Sequence, residues 1–261
     1  MTSLDTASAV RVLWTGGLDS TYRIVELSRM DVTIQPVYCA NPERDSTAME
    51  KYTIERILAA LAEREQTRAK FLPILYIARS EIPQNQQITD AFHTLCRTHR
   101  LGSQYEWLAR LAHVYPGLEI GIEKANHEKE EGGRASLLKF GALTTRDGVT
   151  TLDPEQTTPE CMLVMGNFRF PIIHLTEDEI LENLRSWGCE DILSMIWFCH
   201  EPLKGQPCGM CRACQQKMEG HMEALLPEKA HKRYRAYRKA TALGGEWFAV
   251  RFSRYVLRKI I

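Results

Sequence analysis

The chain has 261 residues, of which 44% are hydrophobic and 25% are charged, with 33 basic and 33 acidic side chains. These values are typical of a globular protein with a sizeable core. No apolar run approaches the ~20 residues that a membrane-spanning helix needs, and the N-terminal stretch lacks the pattern of a signal peptide. We therefore expect a cytoplasmic protein without a membrane partner.

The first predicted elements are a strand, a glycine turn and a helix. Apolar residues from Val10 to Trp14 predict a buried strand, and a helix-compatible segment begins at about Ser20. Between them, Gly16 and Gly17 let the backbone turn sharply and approach a ligand closely. The N–H groups and the positive dipole end of the helix then point at the turn, which predicts a seat for phosphate. An ordinary strand–turn–helix connection is the alternative.

The side chains of this turn favour a polyphosphate with a divalent metal. Hydroxyl groups supply donors, whereas the carboxylate of Asp19 repels phosphate unless a cation such as Mg²⁺ lies between them or the Asp caps the helix. Asp19 and Ser20 are the candidate catalytic residues. The candidate nucleotide-binding residues are Trp14, Thr15, Gly16, Gly17, Leu18, Asp19, Ser20 and Thr21.

The loop lacks the Lys-Ser/Thr pair of the common nucleoside-triphosphatase loop and the three spaced glycines of dinucleotide-binding proteins. It resembles the PP-loop of ATP pyrophosphatases, usually written SGGxDS, with Thr15 in place of the first Ser. This resemblance implies that the loop holds the β- and γ-phosphates while ATP is cleaved to AMP and pyrophosphate.

Strand-like and helix-like segments alternate along the chain. This alternation predicts an α/β fold, a doubly wound, Rossmann-like parallel sheet whose ligands lie beyond the carboxyl ends of the strands. Thr176 and Glu179 form a capping-box pattern, which predicts a helix start. The predicted strands are Val10–Trp14, Ile34–Cys39, Phe71–Ile77, Leu118–Ile122 and Phe170–Leu175; the predicted helices are Ser20–Met30, Ala48–Ala69, Gln104–Val114, Ala135–Leu143 and one from Thr176 to about Trp187.

Four of the eight cysteines are concentrated in sixteen residues, with the spacing C-x8-C-x2-C-x2-C. In a reducing compartment this density favours a metal site over disulfides, and four thiolates suit a closed, tetrahedral, structural zinc site. Redox chemistry by the last two cysteines, or His200 in place of one thiolate, are the alternatives. The predicted zinc ligands are Cys199, Cys208, Cys211 and Cys214.

Together, the loop and the cysteine cluster resemble the QueC family of 7-cyano-7-deazaguanine synthases. The similarity is carried by VLWTGGLDST and by the stretch from FPIIHLTEDEI to SMIWFCHEPLKGQPCGMCRACQQKM, about a quarter of the chain. It implies an adenine nucleotide α-hydrolase-like PP-loop fold with a C-terminal zinc-binding segment. It also implies ATP, Mg²⁺ and one structural Zn²⁺, with 7-carboxy-7-deazaguanine as the substrate. The family adenylates that carboxylate, and ammonia attacks the adenylate to give the amide. A second activation, at the amide oxygen, and loss of AMP then give the nitrile.

Three segments depart from the family pattern: CANPERDS, the region from Leu101 to Gln104, and EKANHEKEEGGR. Because these segments lie on the acceptor side, a specialised relative is an alternative. Such a defence (CBASS-type) enzyme would conjugate the activated deazaguanine to an amine of a protein or nucleic acid. The last residues, from Glu228 to Ile261, carry ten Lys or Arg and two Glu and would then dock that macromolecule. The alternative for this basic segment is a solvated helical face that pairs with the acidic remainder of the chain.

Two further functions remain open. One is tRNA thiolation, in which Cys211 or Cys214 would deliver sulfur. The other is a nucleic-acid-binding module with a zinc knuckle and tail aromatics, Tyr234, Tyr237, Trp247, Phe248 and Tyr255. Lys124, His127, Glu128 and Arg134 follow a strand end and are weaker candidates for substrate contacts.

We expect three parts: a PP-loop ATP pyrophosphatase domain over 1–195, the four-cysteine segment over 196–220 and a basic helical extension over 221–261. The expected partners are the deazaguanine, ammonia or a macromolecular amine as acceptor, a protein or nucleic acid at the basic tail, and a second copy of the chain in a homodimer.

Overall fold

The fold is known from a computed structural model that describes residues 9–41, 44–99, 101–124, 133–220 and 222–242. It confirms the α/β class, because a mostly parallel sheet lies between helices. In these residues no helix combines the length and the apolar character that crossing a bilayer requires.

All strand pairs of the main sheet are parallel. The strand order is β3-β2-β1-β5-β8, and β4 pairs with β2 beyond the end of β3. Central strand β1 therefore has β2 on one side and β5 on the other, with Val12 opposite both Pro36 and Glu119. The strands are β1 (Val10–Leu13), β2 (Thr33–Ala40), β3 (Lys70–Phe71), β4 (Leu75–Ala78), β5 (Leu118–Glu119) and β8 (Phe168–Arg169).

Helices cover both faces of the sheet and bury two apolar clusters. The cluster on one face includes side chains from α3, α4, α5 and α6, and that on the other includes α1, α2, α7 and α8. This is the doubly wound arrangement that the alternation predicts. The helices are α1 (Leu18–Ser28), α2 (Thr47–Ala62), α3 (Gln86–Thr98), α4 (Gln104–Val114), α5 (Gly133–Phe140), α6 (Pro159–Met165), α7 (Glu177–Ser186), α8 (Glu190–Met195) and α9 (Arg212–Glu219).

Three strand predictions differ clearly from the structure. The predicted strand Leu118–Ile122 is too long, because β5 ends at Glu119, and proline explains the other two. The predicted strand Phe71–Ile77 is divided into β3 and β4 at Pro73, which has no N–H for a ladder. The strand predicted over Phe170–Leu175 does not form there, because β8 ends just before it, at Arg169. The N–H of Phe170 donates to Thr150, and the chain turns from Pro171 onward.

The capping box at Thr176 is confirmed, since its hydroxyl accepts from the N–H of Glu179 and the Glu179 carboxylate accepts from the N–H of Thr176. An unpredicted antiparallel hairpin, β6 (Leu143–Arg146) and β7 (Val149–Leu152), is closed by Asp147 and Gly148, both at positive φ. An Asp-Gly pair between alternating segments is a strong hairpin signal. The signal was therefore present in the sequence.

A third apolar cluster surrounds the four cysteines near the C-terminus. Its buried members include Met210, Ala230 and Tyr237, and it continues into a helix over 228–242. The cysteine segment therefore packs against the basic segment that follows it. The remainder of that segment, 243–261, lies outside the described residues.

Candidate functional site

The glycine loop lies at the carboxyl end of β1. The chain passes from β1 to β2 on one side and later to β5 on the other, so a crevice opens at the end of β1. Crevices at such reversals of strand order are the usual ligand sites of open parallel sheets. The fold therefore places the predicted phosphate loop where a ligand site is expected.

Two close approaches require glycine around this loop. Gly16 has φ +77°, and a Cβ there would lie 2.8 Å from Cγ2 of Thr53 on α2. Gly121, just beyond β5, comes so close to the start of α1 that a Cβ would lie 2.9 Å from Cβ of Asp19. The loop is thus held between α2 on one side and the end of β5 on the other.

The first turn of α1 presents backbone donors to the crevice. Gly17 is the N-cap, and no side chain of the described residues caps the helix there. The first N–H groups of a helix, here those of Leu18, Asp19 and Ser20, have no acceptor within the helix. Thr15 and Ser20 line the same space. These groups can donate hydrogen bonds to the oxygens of a phosphate.

Two of the residues predicted to bind nucleotide lie beneath the loop and support it. Trp14 and Thr21 are fully buried, and the Trp14 indole N–H donates to the Thr21 hydroxyl over 2.9 Å. This hydrogen bond joins the end of β1 to the first turn of α1. Both side chains therefore lie beneath the loop rather than in the crevice.

The crevice is a cleft of about 720 Å³. Cations from two strand ends line it: Arg44 follows β2 and Arg79 follows β4. The Arg79 guanidinium lies 5.9 Å from the ring centroid of Trp107, on α4. A cleft with a phosphate seat, two guanidinium groups and an aromatic wall suits an anionic ligand with a planar group.

A second cavity of about 870 Å³ shares Thr15, Gly17 and Asp19 with this cleft and extends toward the cysteine segment. Its wall is acidic, and Glu123 contributes a buried carboxylate oxygen with no hydrogen-bond partner among the described residues. Burial, with the charge of Asp19 as the next cause, raises the pKa of Glu123 to about 8. Burial also raises the pKa of Asp19 to about 6, against the opposing effect of Lys217.

The four cysteines predicted as metal ligands come together. Their sulfur atoms all lie within 4.8 Å of one another, and all four residues are buried. The Sγ atoms of Cys208 and Cys214 are 3.8 Å apart, and those of Cys211 and Cys199 are 4.0 Å apart. Tetrahedral zinc with Zn–S bonds of ~2.3 Å requires sulfurs roughly 3.8 Å apart. The donor set therefore fits a zinc ion, and His200 lies in the cleft wall instead.

Backbone donors complete the surroundings of the sulfurs. The N–H groups of Met210 and Cys211 point at Sγ of Cys208 over 3.3 and 3.2 Å, and the N–H of Cys208 points at Sγ of Cys199 over 3.2 Å. Such bonds stabilise negative charge on thiolates. Gly209, at φ +78°, has no room for a side chain, because a Cβ would lie 2.2 Å from the Ala230 carbonyl oxygen.

The cysteine segment contacts both the glycine loop and the C-terminal helix. The N–H of Trp197 donates to the Gly16 carbonyl over 2.8 Å, so the segment before Cys199 carries one end of the loop. On its other side, the buried Arg233 guanidinium donates to the carbonyls of Cys208 and Pro207 over 2.8 and 2.9 Å. The loop and the cluster therefore belong to one continuous structure.

The described part of the basic segment forms ion pairs within itself and with the α9 helix. Lys232 pairs with Glu228, and Arg238 pairs with Glu219. Tyr234 donates to Glu219. Several residues of interest lie outside the described part of the chain: His127, Glu128, Trp247, Phe248 and Tyr255. Lys124 is exposed beside the start of α7, where its N–H donates to the carbonyl of Leu175.

Sequence reasoning missed five residues that line the site or hold its geometry. Arg44 and Arg79 follow strand ends, a position that was itself a signal for ligand contact. The close approach of Gly121 and the placement of Glu123 and Lys217 depend on tertiary packing and left no local signal. These residues are Arg44, Arg79, Gly121, Glu123 and Lys217.

Fold and site together define a protein with a Rossmann-like PP-loop architecture and a C-terminal cysteine cluster. No family model matches the chain. Its relatives include the 7-cyano-7-deazaguanine synthase of Leptospira biflexa, which is 28% identical over 123 residues, 45% of this chain and 44% of that enzyme. Another is the 7-cyano-7-deazaguanine synthase of Syntrophotalea carbinolica, 22% identical over 231 residues, 84% of this chain and 94% of that enzyme.

The chain is thus a distant, QueC-like relative of the 7-cyano-7-deazaguanine synthases. The match to the Leptospira enzyme spans less than half of the length of that enzyme. The match to the Syntrophotalea enzyme covers most of both chains.

Proposed function

We propose that the chain is an ATP-dependent, carbon–nitrogen-bond-forming enzyme that converts 7-carboxy-7-deazaguanine to 7-cyano-7-deazaguanine with ammonia. One observation carries the proposal. This chain, a distant relative of such synthases, has a helix N-terminus after a glycine turn, and no described side chain caps it. The N-terminus lies in a cation-lined cleft, and a backbone hydrogen bond joins the loop to the segment that carries the four cysteines. The helix N-terminus suits the phosphates of ATP, and the volume of the cleft suits a nucleotide beside a small planar substrate.

In the first step, a carboxylate oxygen of the substrate attacks the α-phosphorus of ATP, and the bond to the bridging oxygen breaks to release pyrophosphate. The barrier falls when the leaving charge is neutralised and the groups are held in line. The N–H groups of Leu18, Asp19 and Ser20 bind phosphate oxygens. Thr15 and Ser20 supply hydroxyl donors from the same wall.

In the second step, ammonia attacks the acyl carbon, AMP leaves, and the nitrogen loses a proton to give the amide. The amide oxygen then attacks the α-phosphorus of a second ATP, and the bond to the bridging oxygen breaks to release a second pyrophosphate. Loss of AMP and of the remaining two N–H protons gives the nitrile. Glu123 faces the acidic cavity, and the raised pKa of its carboxyl, about 8, suits a group that exchanges protons with ammonium near neutral pH.

Asp19 is the residue that would hold Mg²⁺. Its carboxylate is a hard oxygen ligand in the wall of the phosphate cleft. Bound Mg²⁺ would neutralise the triphosphate charge. Because burial raises the pKa of Asp19 to about 6, a nearby divalent cation would favour the ionised form that ligates it.

Cys199, Cys208, Cys211 and Cys214 would hold Zn²⁺ in a structural role. All four sulfurs would be occupied, which leaves no open coordination position for substrate. The same burial and mutual packing disfavour tRNA thiolation, because a sulfur-delivering cysteine must be accessible.

The test is an incubation with ATP, Mg²⁺, ammonium and 7-carboxy-7-deazaguanine, with nucleotides and deazaguanines followed by mass spectrometry. We expect AMP and the nitrile, with two AMP per nitrile. AMP formed only with the deazaguanine but without nitrile would overturn the nitrile product and favour conjugation to another amine. Absence of AMP in every mixture would overturn the proposal altogether.

A further inference from the structure

The glycine loop contains no cation of its own. Residues 14–21, WTGGLDST, include one carboxylate and no Lys or Arg. A triphosphate brings about four negative charges, and helix dipoles and backbone N–H groups offset only part of them. The common triphosphate-binding loop solves this problem with its own Lys. Here the positive charge must come from another part of the fold or from a metal ion.

Lys217 is a cation in the wall of the cavity next to the loop. It lines the same space as Thr15, Gly17 and Asp19. Its side chain is only 14% exposed, and its ammonium group pairs with the Glu177 carboxylate. The charge of Lys217 opposes the burial-driven rise in the pKa of Asp19, which indicates that the two groups lie near each other.

The cysteine cluster fixes the position of Lys217. It lies on α9, whose N-cap is Cys211 and whose first turn includes Cys214. Lys217 follows Cys214 by three residues, so both lie on neighbouring parts of one helix face. The next residue, Met218, is buried in the cluster around the cysteines. A helix held at both points gives the lysine a defined direction.

We propose that Lys217 is a phosphate-binding cation for the loop, in addition to Arg44 and Arg79 of the cleft, and that the cysteine cluster holds this lysine at the loop. The assignment rests on the proposed function, because it takes ATP as the ligand. In the absence of nucleotide, Lys217 pairs with Glu177; when ATP binds, its ammonium group turns to a phosphate oxygen.

Glu177 is a partner that can release the lysine at low cost. It is the first residue of α7, where the helix dipole and the free N–H groups favour a negative charge. Lysine carries a compact charge on a flexible stem, so a change of partner requires only rotation of the side chain. The ion pair therefore orients Lys217 and still allows its ammonium group to change partner when a phosphate binds.

The test compares Lys217→Met with Glu177→Gln in the full chain with bound zinc. Both variants break the ion pair, but only the first removes the cation. We expect the dissociation constant of ATP with Mg²⁺, measured by calorimetry, to rise about 10- to 100-fold in Lys217→Met. In Glu177→Gln it should stay constant or fall. Lys217→Arg should retain most of the affinity, and Lys232→Met, on the exposed face of the C-terminal helix, is the charge-matched control.

If Lys217 has only a structural role, the ATP affinities of these variants should follow a different pattern. If Lys217→Met and Glu177→Gln weaken ATP binding equally, or if Lys217→Met binds ATP as the wild type does, the assignment of Lys217 is wrong while the proposed function stands. If the wild-type protein itself does not bind ATP, the proposed function fails and takes the assignment with it. Thermal unfolding of both variants checks that each retains its fold.

Discussion

The glycine loop and the cysteine cluster are built in opposite ways. The loop is shaped by backbone: a positive φ at Gly16, a close approach at Gly121 and a hydrogen bond from the N–H of Trp197 to the Gly16 carbonyl. The cluster is shaped by side chains, since four sulfurs meet in a segment with few regular elements. The backbone of the loop is held by the elements packed around it, whereas a sulfur site of this kind requires an ion.

Because of this difference, we expect substitutions in the two regions to affect different properties of the protein. Changes in the cluster should affect stability first and activity as a consequence. Changes at Asp19 in the loop and at Glu123 beyond β5 should affect activity with little loss of stability, because burial disfavours the charge of both carboxylates. Four substitutions test this separation.

The largest effect is expected from Cys211→Ser. Structural zinc sites contribute an apparent binding free energy of about 10–16 kcal/mol, and a site with three thiolates loses much of it. The variant should lose its equivalent of zinc and unfold at a lower temperature, as measured by metal analysis and thermal denaturation. Cys161→Ser, a buried cysteine of α6, is the control. Full zinc content with unchanged thermal stability would contradict the structural role of the cluster.

Asp19→Asn should have the next largest effect, and on activity alone. Loss of the carboxylate removes the proposed Mg²⁺ ligand, so the rate of AMP formation should fall about 100- to 1,000-fold. The free energy of unfolding should stay constant or rise, because burial disfavours the charge of Asp19. Asp31→Asn, an exposed residue beyond α1, is the matched control. If Asp19→Asn lowers the free energy of unfolding as well as the rate of AMP formation, the loop and the cluster do not differ in the way proposed.

Gly209→Ala compared with Gly188→Ala measures how tightly the cluster is packed. Both glycines have positive φ, but a Cβ at Gly188 meets nothing within 4 Å, whereas one at Gly209 meets the Ala230 carbonyl at 2.2 Å. Backbone strain alone should cost Gly188→Ala about 1 kcal/mol. Gly209→Ala should cost about 2–3 kcal/mol more in chemical denaturation, since backbone must move. Equal costs would show that the C-terminal helix does not press on the cluster.

The smallest effect concerns Glu123 and its pH dependence. Its pKa is about 8 in the folded protein against 4.5 in the unfolded chain, so the folded state binds more protons between these values. The free energy of unfolding therefore falls as the pH rises through this window, by about 1–2 kcal/mol for a group that is partly exposed.

Glu123→Gln should abolish the part of this decline between pH 6 and 8, above the pKa of about 6 that Asp19 has. Denaturation curves at pH 6, 7 and 8 provide the measurement. The exposed residue changed in Glu155→Gln is the control. A decline that persists in Glu123→Gln would mean that another group carries it.

The sequence was sufficient where a pattern is local. The strand, glycines and helix of the loop, the capping box at Thr176 and the cysteine spacing each occupy few residues, and the structure places them as predicted. Element boundaries were less accurate where a proline interrupts an apolar run, as at Pro73.

What the sequence could not predict depends on distant residues coming together. Nothing near Lys217 indicates that it lines the same cavity as Asp19. Nothing near Glu123 indicates that one of its carboxylate oxygens is buried with no partner in the described part of the chain. Arg233 is a similar example. The basic segment suggested an exposed docking surface or a solvated face, but this arginine is buried against the carbonyls beside Cys208. Charge counts along a segment do not reveal which members face inward.

The hydrogen bond from Trp197 to Gly16 has a consequence for how the protein is made. It joins the beginning of the chain to its last third, so the glycine loop gains this support only after most of the polypeptide has been synthesised. During translation, the early strands can already pair while the loop still lacks its final anchor. A growing chain would therefore pair β1 with β2 before the loop has the anchor that Trp197 supplies.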